Sequence, residues 1–209
     1  MTEPRWLAWV KELHALAQTG LHYASNEYDR DRYTAVLRIA AEMAAAQSGA
    51  PAEKILDLFR VDTGYITPKV DVRVVVMQDW RILLVQELAD GGRWTLPGGW
   101  ADVNASPAEN CVREVREESG FEVRPVRLLA LYDRSLRGHE PPMPVHVYKI
   151  YFQCEMTGGE ARSSAETGRV EFFAEEEIPV DLSLSRVTRE QIHRMFELVR
   201  RPDLPPDFD

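Results

Sequence analysis

LPGGWADVNASPAENCVREVREESGF, residues 96–121, is the stretch from which the fold and the chemistry of this chain can be built outward. Ser106-Pro107-Ala108-Glu109 has the order of a capping box with proline at the first helical position. Gly120 stands where a helix closes in a left-handed residue, so the stretch predicts a helix over 107–119. Ala108, Cys111, Val112 and Val115 make its apolar side. Glu114, Glu117 and Glu118, spaced i, i+3 and i+4, project together from another face near the helix end. At roughly 5 Å and an effective dielectric near 20, each like-charged pair repels by about 3 kcal/mol before screening. The partial negative charge of the helix C-terminus adds to that cost, and Arg113 and Arg116 relieve part of it. One reading is a solvated charged face. The other is a site for divalent cations, because Gly98 and Gly99 let the backbone approach an ion or phosphate with no side chain between. Mg²⁺ takes a few carboxylates and keeps water and phosphate oxygens as its remaining ligands.

Upstream of that helix the period is two. Val70, Val72, Val74 and Val76 alternate with Asp71 and Arg73, then Asp79-Trp80 separates them from Ile82-Leu83-Leu84-Val85, the pattern of a two-stranded hairpin. Further strands are expected at 126–132, 145–154 and 169–174, and a last amphipathic helix carries Val187, Ile192, Met195, Phe196 and Val199. Residues 202–209 read as a loose tail. Before residue 60 the period is helical throughout. Apolar positions from Trp6 to Ala17 stop at Gly20, those from Tyr33 to Ala44 stop before Ser48-Gly49, and Pro51 opens a third short helix at its first position. The order of elements gives a mixed α/β or α+β layer fold, not a βαβ repeat. The boundary falls at the change of period, giving a small all-α unit over 1–64 and a larger unit over 65–209. Three helices make a thin core, so the small unit is expected to pack on the rest of the chain or on a second subunit.

Of 209 residues, 44% are apolar, enough for one ordinary core and an appendage, and the net charge is −9. That acidity argues against a protein that grips long duplex nucleic acid, whose affinity comes from Lys and Arg. It leaves room for a small anionic substrate bridged by cations. No window has the uninterrupted apolar length of a membrane span, and Lys11 and Glu12 break the N-terminal apolar run, so a cytoplasmic location is expected. Cys111 and Cys154 have no metal or redox spacing and read as buried thiols.

Gly99 followed by Arg113-Glu114-Val115-Arg116-Glu117-Glu118-Ser119-Gly120-Phe121 resembles the Nudix box, G-x5-E-x7-R-E-U-x-E-E-x-G-U, where U is apolar. Only the first glutamate of the box departs, replaced by Ala105. The resemblance implies an α/β/α sandwich with a mixed sheet, and hydrolysis of a nucleoside diphosphate linked to another moiety with Mg²⁺ or Mn²⁺ as cofactor. Carried over by position, the metal ligands are Glu114, Glu117, Glu118 and the Gly99 carbonyl. The stretch ETGRVEFF offers Glu166 as a distal ligand or general base, although an exposed loop carboxylate is an equal reading. Glu114, Glu118 and Glu166 are therefore the catalytic candidates. The missing glutamate is the expected partner of Arg113, and Glu109, one turn earlier, could replace it.

The resemblance extends further, through TGYITPKVDVRVVV, WTLPGGWADV and VYKIYF, to the Nudix subgroup of bacterial CDP-choline and ADP-ribose pyrophosphatases that carry an N-terminal helical unit. In that subgroup the first box glutamate is commonly absent, and the helical unit helps build a homodimer. A small nucleotide is the implied substrate, CDP-choline or ADP-ribose foremost. Single-stranded RNA trimmed from its 3′ end is a second reading and a non-catalytic ligand-binding module a third, and no membrane partner is implied. Trp94 and Trp100 flank the glycine turn and could stack a base, or could simply be buried. Asp133, Arg134 and His139, in a polar loop, could read a base, ribose or phosphate, or could face solvent.

Overall fold

The computed structural model describes residues 3–209, which divide into two compact units. One runs to Pro68 and includes Pro142–His146; the other comprises Lys69–Pro141 and Val147–Asp209.

The first unit is three helices, α1 (Arg5–Tyr23), α2 (Glu27–Ser48) and α3 (Ala52–Val61). Asn26 caps α2 by accepting from Asp29 N at 2.9 Å, and Gly49, at φ 74°, closes it. Small side chains let the helices approach: Ala17, Ala40, Ala41 and Ala44 pack with Val10, Leu37 and Phe59 in one core. Gly20, expected just past the end of α1, lies inside it, three residues before Tyr23. Its place is explained by packing, since a Cβ there would stand 2.3 Å from Tyr33 Cε1. Pro51, likewise, precedes α3 instead of opening it. His14 and Gln18 of α1 both reach the Phe59 carbonyl of α3, at 3.1 and 2.6 Å, and the His14 ring stacks on Phe59.

The second unit is built on a mixed sheet. Its strands are β1 (Lys69–Gln78), β2 (Arg81–Glu87), β3 (Arg93–Thr95), β4 (Phe121–Asp133), β5 (Val147–Gly159), β6 (Thr167–Phe173) and β7 (Asp207–Phe208). They run in the order β3-β2-β1-β5-β4-β7, with β6 on β2. The β1/β5 and β4/β7 pairs are parallel and the rest antiparallel. The β1–β2 hairpin turns through Asp79 and Trp80, both at positive φ, which matches the twist of the strands. The two helices of this unit are α4 (Pro107–Ser119) and α5 (Arg189–Arg200). Cys111 and Val115 of α4 pack on Val72, Val74, Val76 and Cys154. Ile192, Met195 and Phe196 of α5 share a separate core with Val75, Tyr132 and Tyr151. The sheet therefore lies between the two helices, and the chain is α+β, three helices followed by a mixed sheet with helices.

The polar positions alternating with the β1 valines are buried as well: Asp71 is 5% and Arg73 3% exposed, on the side of β1 that carries Val75. Period two separates the faces of β1, and both are covered. The segment after Pro202, expected as a loose tail, is held in place. Its β7 pairs with β4, Tyr132 donates its hydroxyl to Asp207 at 2.7 Å, and Asp209 accepts from Asp133 N.

Candidate active site

The start of α4 is fixed by its own sequence. Glu109 N donates to Ser106 Oγ and Ser106 N to Glu109 Oε2, so the capping box is closed from both sides, and Gly120 ends the helix at φ 79°. Asn110, fully buried, stitches the preceding loop to the helix: its Oδ1 accepts from Asp102 N at 2.8 Å and its Nδ2 donates to the Ala105 and Ser106 carbonyls. Sequence reasoning missed this residue; the signal was a polar side chain beside Cys111 on the apolar stripe.

Residues 97–101 lie along β1 like an irregular strand. Val74 N donates to Pro97 O and Val72 N to Gly99 O, both at 2.8 Å, and Ala101 N donates to Val70 O at 2.9 Å. So close an approach demands glycine: at Gly98, φ 135°, a Cβ would stand 2.1 Å from Val72 O. The Gly98 amide then donates to Glu118 Oε2 at 2.9 Å. A Cβ at Gly99 would lie 3.1 Å from Glu114 Oε1. The double glycine thus sets two carboxylates directly against backbone.

The three helix glutamates do not project as one group. Glu114 and Glu118 are 8% and 7% exposed, turned inward with Cys111 and Val115, while the Glu117 side chain is 60% exposed. Burial pushes Glu118 up to about 8, against the pull of the Arg73 charge and the Gly98 amide. Burial raises Glu114 as well, opposed by Arg113. Arg113 joins the set, its Nη2 donating to Glu114 Oε1 at 2.8 Å and its Nη1 to Glu117 Oε2 at 3.0 Å. It also meets Asn110 Oδ1 and Asp102 Oδ2, each at 3.1 Å. Glu109 does not replace the missing box glutamate, because its carboxylate is folded back onto Ser106 N. Asp102 takes that part, three residues before Ala105.

By type, the donors suit a hard divalent cation: two desolvated carboxylates, and a Gly99 carbonyl that gives one lone pair to Val72 N and keeps another. Among the described residues no three acidic, histidine or cysteine side chains already converge on one point. Glu117 would have to leave Arg113 to complete a set. Glu166 is exposed, but its loop is tied to α4, since the neighbouring Thr167 donates its hydroxyl to Glu118 O at 2.5 Å. A groove of about 680 Å³ opens beside Glu117, lined also by Ala108, Glu109, Val112, Arg113, Arg116, Pro125 and Arg162.

The candidates for substrate contact fare differently. Trp94 is 4% exposed, edge-on to Phe173 in the α5-side core. Asp133 accepts from Ser135 N and Oγ and so holds a short turn. Arg134 donates to the Pro141 and Ser185 carbonyls. His139 has both ring nitrogens engaged, by Leu184 O and Gln191 Nε2, each at 3.0 Å, and burial lowers its pKa to about 3. These four residues support architecture. Trp100, half exposed beside the glycine turn, is the aromatic side chain there that reaches solvent.

Residues 67–195 match the NUDIX domain, which includes the glycine turn, α4 and the loop of Glu166. The chain belongs to the Nudix family. Residues 4–59 match a second Nudix-associated model, the UDP-X-like N-terminal oligomerisation domain. A relative from Bacillus subtilis (strain 168), named "Putative ADP-ribose pyrophosphatase YjhB", is 42% identical over 207 residues, 99% of this chain and 98% of its own. The crystal structure of an ADP-ribose pyrophosphatase from Streptococcus suis 89-1591 is 37% identical over 68% of this chain and 100% of its own, with a TM-score of 0.61. That of a UDP-X diphosphatase is 30% identical over the full length of both chains, with a TM-score of 0.62. The protein is accordingly a Nudix pyrophosphatase, a family that typically works with a divalent metal. None of the helices among the described residues is long and apolar enough to cross a membrane.

Proposed function

We propose that this Nudix enzyme hydrolyses the pyrophosphate bond of a nucleoside diphosphate joined to a second moiety, with ADP-ribose the first substrate to test and a UDP-linked sugar the next. The observation that carries the reading is the pair Glu114 and Glu118, buried against Gly98 and Gly99 at the end of a fully capped helix. Two relatives named for ADP-ribose and one for UDP-X support the substrate class; none of these names favours CDP-choline. Glu114, Glu117, Glu118 and the Gly99 carbonyl would hold Mg²⁺ or Mn²⁺. Such ions, when bound, neutralise a diphosphate and lower the pKa of an attacking water. The Gly98 amide orients Glu118, and Arg113 orients Glu114. Glu166, on the loop anchored to Glu118 O, is assigned the proton of the water. Trp100 is assigned to the base, and Arg116 and Arg162, in the groove that Glu109 and Glu117 also line, to phosphate oxygens.

The helical unit is assigned to homodimer formation. It matches an oligomerisation domain and leaves Trp9, Leu16 and Leu58 between 46% and 58% exposed. Light scattering on a sizing column should give twice the chain mass; a monomer at all concentrations would remove this assignment. For the reaction, the wild-type protein is offered ADP-ribose, UDP-glucose and CDP-choline with Mg²⁺ and with Mn²⁺, and nucleotide release is measured. Turnover of ADP-ribose that vanishes in Glu118→Gln is the expected result. Turnover of none of the three, or an undiminished Glu118→Gln, would overturn the reading.

A further inference from the structure

Behind the glycine turn lies a charge network that the reaction as described does not use. The parallel register of β1 and β5 sets Asp71 beside Lys149 and Arg73 beside Tyr151, and all four side chains are buried. Arg73 grips Asp71 with two parallel bonds, Nε to Oδ1 at 2.9 Å and Nη2 to Oδ2 at 2.7 Å. Lys149 Nζ donates to the same Oδ1 at 2.6 Å. The guanidinium has one arm left, and Nη1 gives it to the Leu96 carbonyl at 3.1 Å. Burial works against the Asp71 carboxylate, yet Arg73 and Lys149 hold it at about 2.

We propose that Asp71, Arg73 and Lys149 are positioning residues for catalysis. Asp71 and Lys149 lock the Arg73 fork, the fork fixes the Leu96 carbonyl, and that carbonyl sets the turn whose Gly98 amide holds Glu118 and whose Gly99 backbone abuts Glu114. The inference rests on the role given to that acidic pair. Stability alone is a poor reason for the network, because desolvating three charges offsets much of their attraction, and apolar side chains of like volume often fold as well or better. What apolar side chains cannot do is grip a carbonyl. The β1 amides already hold the Pro97 and Gly99 carbonyls, but Pro97 has no N–H and Gly98 and Gly99 have no side chains, so the carbonyl of Leu96 is where a side chain secures the entry to the turn. A planar fork with donors in two directions can fix both a carboxylate and a backbone oxygen, which an ammonium on a flexible stem does less well. The Arg73 charge also acts on the Glu118 carboxylate and favours its ionised form.

Two variants test this. Arg73→Lys keeps the charge and loses the fork. The combined Asp71→Leu, Arg73→Met, Lys149→Met variant removes the network and keeps the volume. Both are expected to melt near the wild-type temperature, to lose kcat by roughly tenfold or more, and to hold KM within about twofold. Amide exchange followed by NMR should quicken at Gly98 and Gly99 and stay unchanged in α5, a signature that a merely structural triad would not give. Wild-type kcat together with wild-type Gly98 exchange in Arg73→Lys would overturn the proposal, even if the triple variant failed to fold. Should the wild-type protein cleave no diphosphate at all, the function assigned above fails instead, and Gly98 exchange still decides whether Arg73 sets the turn.

Discussion

The glycine turn with α4 and the loop around residues 133–139 both bury titratable side chains, and they do so on opposite terms. In the loop every candidate is satisfied. His139 has a partner for each ring nitrogen, and Arg134 donates to two carbonyls. In the turn, Glu118 is equally buried but, among the described residues, receives one hydrogen bond, from Gly98, and its pKa stands near 8. Burial does not distinguish a site from a scaffold here. Incomplete satisfaction does, because a desolvated carboxylate with unused lone pairs is unfavourable until something else, such as a cation, supplies the missing charge.

The largest expected contrast is between Glu118→Gln and His139→Ala. The first should lower kcat/KM by on the order of 10³-fold with a nearly unchanged Tm. The second should leave the activity of the folded protein intact but cost about 1–3 kcal/mol in urea unfolding, since Leu184 O and Gln191 lose a partner. If His139→Ala proved the greater loss to catalysis, the loop would belong to the site after all.

A smaller effect concerns pH. His139 is surrounded by Lys149, Arg134 and Asp71, and its folded pKa of about 3 lies below the ordinary 6.5. The unfolded chain therefore takes up this proton first, so the contribution of a neutral His139 is complete above pH 6.5 and is lost as pH falls from there toward 3. Tm measured over that range should fall less steeply in His139→Gln than in the wild-type protein. Parallel slopes would show that this imidazole is not what the fold protects.

The smallest effects sharpen the support of α4. Ser106→Ala should cost about 1 kcal/mol by removing the cap while leaving the acidic pair in place. Asp102→Ala should lower kcat only a few-fold, roughly the low end of a support residue, because Arg113 keeps Glu114, Glu117 and Asn110. A loss as deep as that of Glu118→Gln would make Asp102 a principal member of the site.

How much of this could be read from the chain follows from where the partners lie. The limits of α4 were legible because its caps are local, Ser106 with Glu109 and Gly120 at the end. The hairpin at Asp79-Trp80 was legible for the same reason. The roles of Arg134 and His139 were not, because their partners Ser185, Leu184 and Gln191 are 45 to 52 residues away in sequence. The burial of Asp71 and Arg73 was not legible because alternation names two faces and cannot say what covers each. Gly20 looked like a helix end because glycine ends helices more often than it admits a tyrosine ring. Asp102 was overlooked as the partner of Arg113 since the loop before α4 has no period to place it.

Cys111 and Cys154 meet in the core beneath α4, almost without exposure, and burial carries the Cys154 thiol up to about 12 and the Cys111 thiol higher still. Neither sulfur can react with a thiol-directed reagent while that core is shut. The rate at which the chain takes up such a label is therefore a clock for the opening of the catalytic unit, present in the natural sequence without any added probe.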